Sequence, residues 1–230
     1  MYDFMSDQQE FTPNGNSLKI QDKDTVVFLG ASVTDCGRNP SGEGSFSSNP
    51  YGNGYVNMFI SAFRVDHPDW NVRFINKGIS GNRSRDMLER LKTDVLEYKP
   101  DVVTILAGIN DVWRFFDEPA MNTGVGIEEY EQNLYSMVSQ ILNTAKKCLI
   151  MAPYIIDSNK SEPMRDMMDK YGEICKKISE KLNVQFFDTQ KIFDDLMKRG
   201  ISSYEFSGDR IHPTQVGHMA ITGELLNVLN

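Results

Sequence analysis

The chain has 230 residues, with 24 Lys+Arg against 32 Asp+Glu for a formal charge of −8 at pH 7, and it is 40% hydrophobic and 24% charged. This is globular composition, which excludes a disordered, collagen-like or disulfide-scaffold chain and suits one α/β core. The acidic balance argues against a nucleic-acid backbone or an anionic membrane as partner.

In chain order, residues 1–21 carry Asp3, Asp7 and Glu10 and no basic segment followed by an apolar run. No secretory signal is legible there, and no stretch approaches the roughly 18 apolar residues of a spanning helix. A cytoplasmic protein is expected, with residues 1–24 as an N-terminal extension to a core over about 25–229. Thr25–Leu29, closed by Gly30, is a short β-branched and apolar run that reads as a buried strand. Equivalent runs follow at Val72–Ile75, Val102–Leu106, Leu149–Met151 and Val184–Phe187. Gly37–Gly54, rich in Gly, Ser, Asn and Pro, is the one long loop-like stretch, and long loops in compact domains tend to be functional.

Between the strands lie segments with helical spacing. Met87, Leu88, Leu91 and Val95 form one stripe; Ile127, Tyr130, Leu134, Met137 and Ile141 mark a second; Met164, Met168, Tyr171, Cys175, Ile178 and Leu182 mark a third. A last helix is predicted after Pro213, where proline suits a first turn. Alternating strands and helices predict an α/β fold, with a five-stranded parallel sheet built by right-handed crossovers and covered on both faces. No repeat or linker divides the chain, so one domain over 1–230 is expected. Cys36, Cys148 and Cys175 are too few and too scattered for a disulfide framework and form no CxxC pair, which fits a reducing compartment.

In such folds ligands bind beyond the carboxyl ends of the strands. After the first strand comes Gly30-Ala31-Ser32-Val33-Thr34. A serine on a strand-to-helix turn suits a nucleophile whose own amide helps hold an oxyanion, and it suits an ordinary helix N-cap as well. Neither the Lys-Ser/Thr ending of a P-loop nor a GxGxxG run is present, so a nucleotide site is not expected. After the second strand, Asn76-Lys77-Gly78-Ile79-Ser80-Gly81-Asn82 places two glycines where the backbone can turn tightly. After the third, Ala107-Gly108-Ile109-Asn110-Asp111 offers Asn110 as an amide donor and Asp111 as a local cap.

Near the C-terminus stands Asp209-Arg210-Ile211-His212-Pro213. An Asp three residues before a His can accept its Nδ1–H, which fixes the tautomer and leaves Nε2 to take a proton from a serine. His67, in Asp66-His67-Pro68, reads as a solvated helix end, and His218 as a structural residue of the last helix. There is no HExxH and no paired cysteine motif, so neither a metal nor a cofactor is implied.

Taken together, these blocks resemble the SGNH hydrolases, also called the GDSL esterase/lipase family. They run in order as Gly-Ala-Ser, Asn-x-x-x-x-Gly, Gly-x-Asn-Asp and Asp-x-x-His. The longer phrases from Leu29 to Arg38, Gly52 to Val56 and Gly108 to Trp113 resemble an intracellular bacterial branch of that family. The resemblance spans roughly residues 25–229 and implies the SGNH hydrolase fold, a three-layer αβα, flavodoxin-like sandwich. It implies Ser32 as nucleophile, His212 as general base and acid, and Asp209 as the group orienting it. It also implies an oxyanion hole from the amides of Ser32 and Gly81 and the side chain of Asn110.

The implied function is hydrolysis of short-chain acyl esters, acetyl above all, on small carbohydrates, with a small-molecule ester as partner and no sign of oligomeric state. Tyr51, Trp113 and Tyr154, after strands or in the long loop, are candidates for an aromatic platform under a sugar ring. One departure matters: the family usually has Gly-Asp-Ser, and Ala31 stands in place of the aspartate. That aspartate is expected to brace the nucleophile loop, so reduced turnover is anticipated. Two alternatives follow. One is a carbohydrate-binding relative in which Ala31 marks lost catalysis; the other is an acyltransferase using the same residues.

Overall fold

A computed structural model describes residues 18–42, 48–117 and 120–230. Most of the expected N-terminal extension, and residues 43–47 of the long loop, lie outside the described residues. The rest of that extension belongs to the core. Leu18 and Ile20 are buried, and the Ile20 N–H donates to the Leu229 carbonyl at 2.9 Å.

The chain runs β1 (Thr25–Gly30), α1 (Ser32–Asp35), α2 (Tyr55–Asp66), β2 (Arg73–Gly78), α3 (Ser84–Glu89) and α4 (Leu91–Asp94). After a 3-10 turn at Leu96–Tyr98 come β3 (Val102–Leu106), α5 (Ile109–Trp113), α6 (Ile127–Leu142), β4 (Lys147–Met151) and α7 (Pro163–Leu182). The last elements are β5 (Gln185–Phe187), α8 (Thr189–Lys198), α9 (Ser203–Phe206) and α10 (Gln215–Leu229). All five strands are parallel, in the order β2-β1-β3-β4-β5. β1 and β3 are buried nearly end to end, as continuous Val, Ile, Leu and Phe runs require when both faces are covered. On one side α2, α8 and α10 pack together; on the other, α3, α6 and α7 do. Among the described residues no helix is long and apolar enough to cross a membrane.

The register brings the strand ends level. Gly30 pairs with Gly78 on one side and Leu106 on the other, and Leu106 pairs with Met151. The chain leaves β1 toward β2 and leaves β3 toward β4, so a crevice opens where the winding reverses, between β1 and β3. Ser32 and Asn110 begin or lie in the short helices flanking that crevice.

Three expectations are corrected. The stripe from Met87 to Val95 is broken at Arg90 (φ −93°, ψ 3°), which ends α3 and precedes α4. The guanidinium is drawn off the helix to Gly30 O at 3.0 Å and Asn82 Oδ1 at 2.6 Å, while it also holds Asp94 Oδ2, four residues on, at 2.8 Å. The last helix follows Pro213 as expected, but Thr214 caps it, its Oγ1 accepting the Gly217 N–H, so Pro213 lies outside the first turn, in a bridge with Ser207. His67 ends α2 as expected, but it is packed: its ring stacks on Trp70 at 4.1 Å and its Nε2 lies 2.6 Å from Asn230 Oδ1.

Candidate active site

The turn after β1 holds together through contacts from distant residues. A Cβ on Gly30 would lie 2.1 Å from Thr34 Oγ1, so only glycine lets the chain enter α1 so closely. Within the turn, Asp35 N–H donates to Ala31 O and Cys36 N–H to Ser32 O, both at 2.8 Å. The buried Asn76 donates from Nδ2 to Thr34 O (2.7 Å) and Tyr51 O (2.9 Å), while its Oδ1 accepts the Gly78 N–H (2.8 Å). Gly30 O accepts from Ile79 N–H and from Arg90. Asn76 and Arg90 thus brace the turn that carries Ser32, although Ala31 offers no side-chain bond.

The second component is a turn of unusual economy near the C-terminus. Asp209 Oδ1 accepts the N–H groups of Ile211 (2.9 Å) and His212 (2.7 Å) and lies 3.0 Å from Ser207 Oγ, which also reaches His212 O at 2.8 Å. Its Oδ2 faces His212 Nδ1 at 2.7 Å. Burial alone would raise the Asp209 carboxyl, but the ring and backbone donors outweigh it and hold the carboxyl down at about 2. An ionised Asp209 keeps the proton on Nδ1, so Nε2 presents its lone pair to Ser32 Oγ, 2.9 Å away.

Asn110, buried in α5, donates from Nδ2 to Asn82 O at 2.9 Å, leaving its second N–H for a ligand. Ser32, Asn82 and Asn110 line one small cavity. Gly81 (φ +83°) sits in the loop that Asn82 ends, in a conformation that favours glycine. That loop is stitched on both sides: Ser80 Oγ donates to Asp35 Oδ2 at 2.7 Å, and Asn82 is held by Asn110 and Arg90. Asp111 is not the local cap expected. Both its oxygens lie 3.0 Å from the Ser84 N–H, so it anchors the start of α3, 27 residues earlier in the chain. Burial pushes its carboxyl up to about 6.

The aromatic candidates divide. Tyr154 is wholly buried, its hydroxyl donating to Ile211 O at 3.2 Å and its ring against Phe193, so it supports the histidine turn and cannot underlie a sugar. Tyr51 is only 3% exposed, with its carbonyl on Asn76, and is likewise removed from the rim. Trp113 is half-buried and sits edge-on to His212, ring centroids 5.6 Å apart, with Arg114 over its face. His218 is buried as a structural residue: Nδ1 accepts the Tyr55 N–H at 3.1 Å, Nε2 faces Cys36 Sγ at 3.4 Å, and burial lowers its pKa to about 4. Sequence reasoning missed Asn76 and Arg90 as braces and Ser207 as the prop of the Asp209 turn. Among the described residues no group of three or more His, Cys, Asp or Glu side chains is placed to hold a metal ion. A larger cavity between α7 and α8, lined by Arg165, Asp188 and Asp194 among others, contains none of the residues above.

A serine hydroxyl on an imidazole, an ionised carboxylate behind it and an amide donor beside it can together carry acyl transfer. Residues 28–220 match the model of the GDSL-like Lipase/Acylhydrolase family. The chain belongs to this family. It is a carboxylic ester hydrolase with a five-stranded parallel αβα fold. Within the GDSL-like family it is 41% identical over 211 residues to the acetylxylan esterase of Geobacillus stearothermophilus, covering 91% of this chain and 95% of that protein. The crystal structure of that enzyme superposes with a TM-score of 0.87 at 40% identity, over 91% of this chain and 95% of that one. Solved forms of it include catalytic mutants in which a serine, an aspartate or a histidine is replaced by alanine. An alpha/beta hydrolase from the metagenome of Lake Arreo, Spain, matches with a TM-score of 0.87 at 36% identity, over 91% and 96% of the two chains.

Proposed function

We propose that the protein removes acetyl groups from small carbohydrates by way of an acyl-enzyme on Ser32. The observation that carries this reading is the unbroken chain of contacts from Ser32 Oγ through His212 to Asp209, with Asn110 and Ser32 lining the same cavity. The likeness to an acetylxylan esterase supports acetyl as the acyl group and a sugar as the alcohol.

In this mechanism Ser32 Oγ attacks the ester carbonyl carbon while its proton passes to His212 Nε2. The tetrahedral oxyanion takes hydrogen bonds from the amides of Ser32 and Gly81 and from Asn110 Nδ2. As the carbon–oxygen bond to the sugar breaks, Nε2 returns its proton to the leaving oxygen. Water then enters by the reverse roles: Nε2 takes its proton, the hydroxide adds to the acyl carbon, and Ser32 leaves reprotonated with acetate as product. Asp209 orients the imidazole and stabilises its charged form, without itself taking a proton. Trp113, whose ring lies edge-on to His212, is the proposed aromatic contact for the leaving sugar.

The test is hydrolysis of p-nitrophenyl acetate and of acetylated xylo-oligosaccharides by the parent and by Ser32→Ala. Acetate release that Ser32→Ala abolishes is the expected result. Equal release by both proteins, or none by the parent, would refute the reading.

A further inference from the structure

Taking the esterase reading as given, we infer that Met87 is the residue that limits the acyl group to acetyl, as the end wall of the cavity beside Ser32. The walls of that cavity apart from Ser32, Asn82 and Asn110 are chiefly apolar: Val33, Leu106 and Ile109, with Ala31 at the nucleophile turn and Met87 reaching in from α3. Met87 is fully buried, and Val33, Leu106 and Ile109 nearly so. The space between them accommodates about one water-sized or methyl-sized group.

The assignment follows from how an ester must lie. Its carbonyl carbon meets Ser32 Oγ, and its oxygen turns toward the amide donors. The leaving oxygen has to face His212, which gives it a proton. His212 is not part of the cavity wall, so the alcohol departs on the open side; with the oxygen held at the Ser32 and Asn110 edge of the recess, the acyl substituent is what remains to lie against its apolar walls. A recess with apolar walls and room for one methyl accepts acetyl and rejects propionyl and longer chains, whose extra methylenes would have to displace close-packed atoms.

Among the apolar walls, Met87 is the one that can yield without breaking the sheet or the oxyanion donors. Leu106 ends β3, Ile109 adjoins Asn110, and Val33 lies in α1 next to Ser32. The position is also fixed from outside the cavity: Asp111 pins the start of α3 through Ser84, so Met87 cannot retreat by moving its helix. Ala31 also lines the recess, and its small side chain takes little of the space.

Two variants test this in opposite directions, with phenyl formate, acetate, propionate and butyrate as substrates. Met87→Ala, which removes Cγ, Sδ and Cε, is expected to raise kcat/KM for butyrate relative to acetate by about ten-fold or more. Ala31→Val, which fills the recess from the nucleophile side, is expected to lower kcat/KM for acetate about ten-fold relative to formate, whose acyl carbon carries only hydrogen. An unchanged butyrate-to-acetate ratio in a folded Met87→Ala protein would overturn the assignment, as would equal losses on formate and acetate in Ala31→Val. If Met87→Ala does not fold, Ala31→Val decides alone. A parent protein inactive on every ester would refute the esterase reading; an active parent whose variants leave the ratios unmoved would refute the role of Met87 alone.

Discussion

Replacing Asp209 by asparagine separates the two tasks of this side chain. Oδ1 of the replacement can still accept the Ile211 and His212 N–H groups at 2.9 and 2.7 Å, so the turn persists. The atom facing His212 Nδ1 at 2.7 Å becomes an NH2 group, which donates. The imidazole must then accept at Nδ1 and carry its proton on Nε2, where it opposes the Ser32 hydroxyl and cannot receive its proton. A wrong tautomer of this kind costs about 10⁴ in kcat. The stability change is much smaller. The carboxyl sits at about 2 against an ordinary 3.8, but its side chain is 49% exposed, so solvent screening reduces the ionised form's contribution to about 1 kcal/mol. Because the folded-state value is lowered, that contribution is present at neutral pH and fades as pH falls from 3.8 through about 2. The assay is kcat on p-nitrophenyl acetate with a thermal melt at pH 7. Turnover within ten-fold of the parent at an unchanged melting temperature would refute the tautomer argument.

Other consequences are equally specific. Asn110→Ala should lower kcat about 10²- to 10³-fold and leave KM much less changed, as steady-state kinetics on the acetate ester will reveal. Asp111→Asn should flatten the pH dependence of stability. The parent carboxyl is raised from 3.8 to about 6, so the folded state holds the proton more tightly, and the parent loses about 3 kcal/mol as pH rises through that window. Urea midpoints at pH 4 and pH 7 measure this, and an Asn variant with the parent's slope would contradict it. Asn76→Ala strips two carbonyls and one N–H of buried partners and should destabilise the protein by about 3 kcal/mol or more in urea unfolding.

The strands and the four junctions were legible because both rest on local pattern. β-Branched runs bounded by glycine mark β1 and β3 within a residue, and the Asp-x-x-His spacing is short enough for a carboxylate and an imidazole to meet within one turn. What the sequence concealed depends on contacts between distant residues. Arg90 interrupts a helical stripe because Gly30 O, 60 positions away, competes for its guanidinium. Tyr154 lies just past a strand end, like a rim residue, yet Ile211 O and Phe193 draw it inside. Asp111 has the composition of a local cap, but its hydrogen-bond partner is on α3. Ala31 signalled a weakened nucleophile turn, and nothing in its neighbours along the chain reveals that Asn76 supplies the brace. Helix α8 also passed unread, and α2 was read only at its end, His67. The former is short, with Ile192, Phe193, Leu196 and Met197 as its apolar positions, and the latter follows a loop whose glycines obscure its start.

The nucleophile itself is open to direct measurement. Peptide mapping by mass spectrometry after treatment with a fluorophosphonate should find one adduct, on Ser32, and should find it forming far more slowly in His212→Ala. An unlabelled parent, an adduct on another serine, or the same rate of Ser32 labelling without His212 would contradict the account.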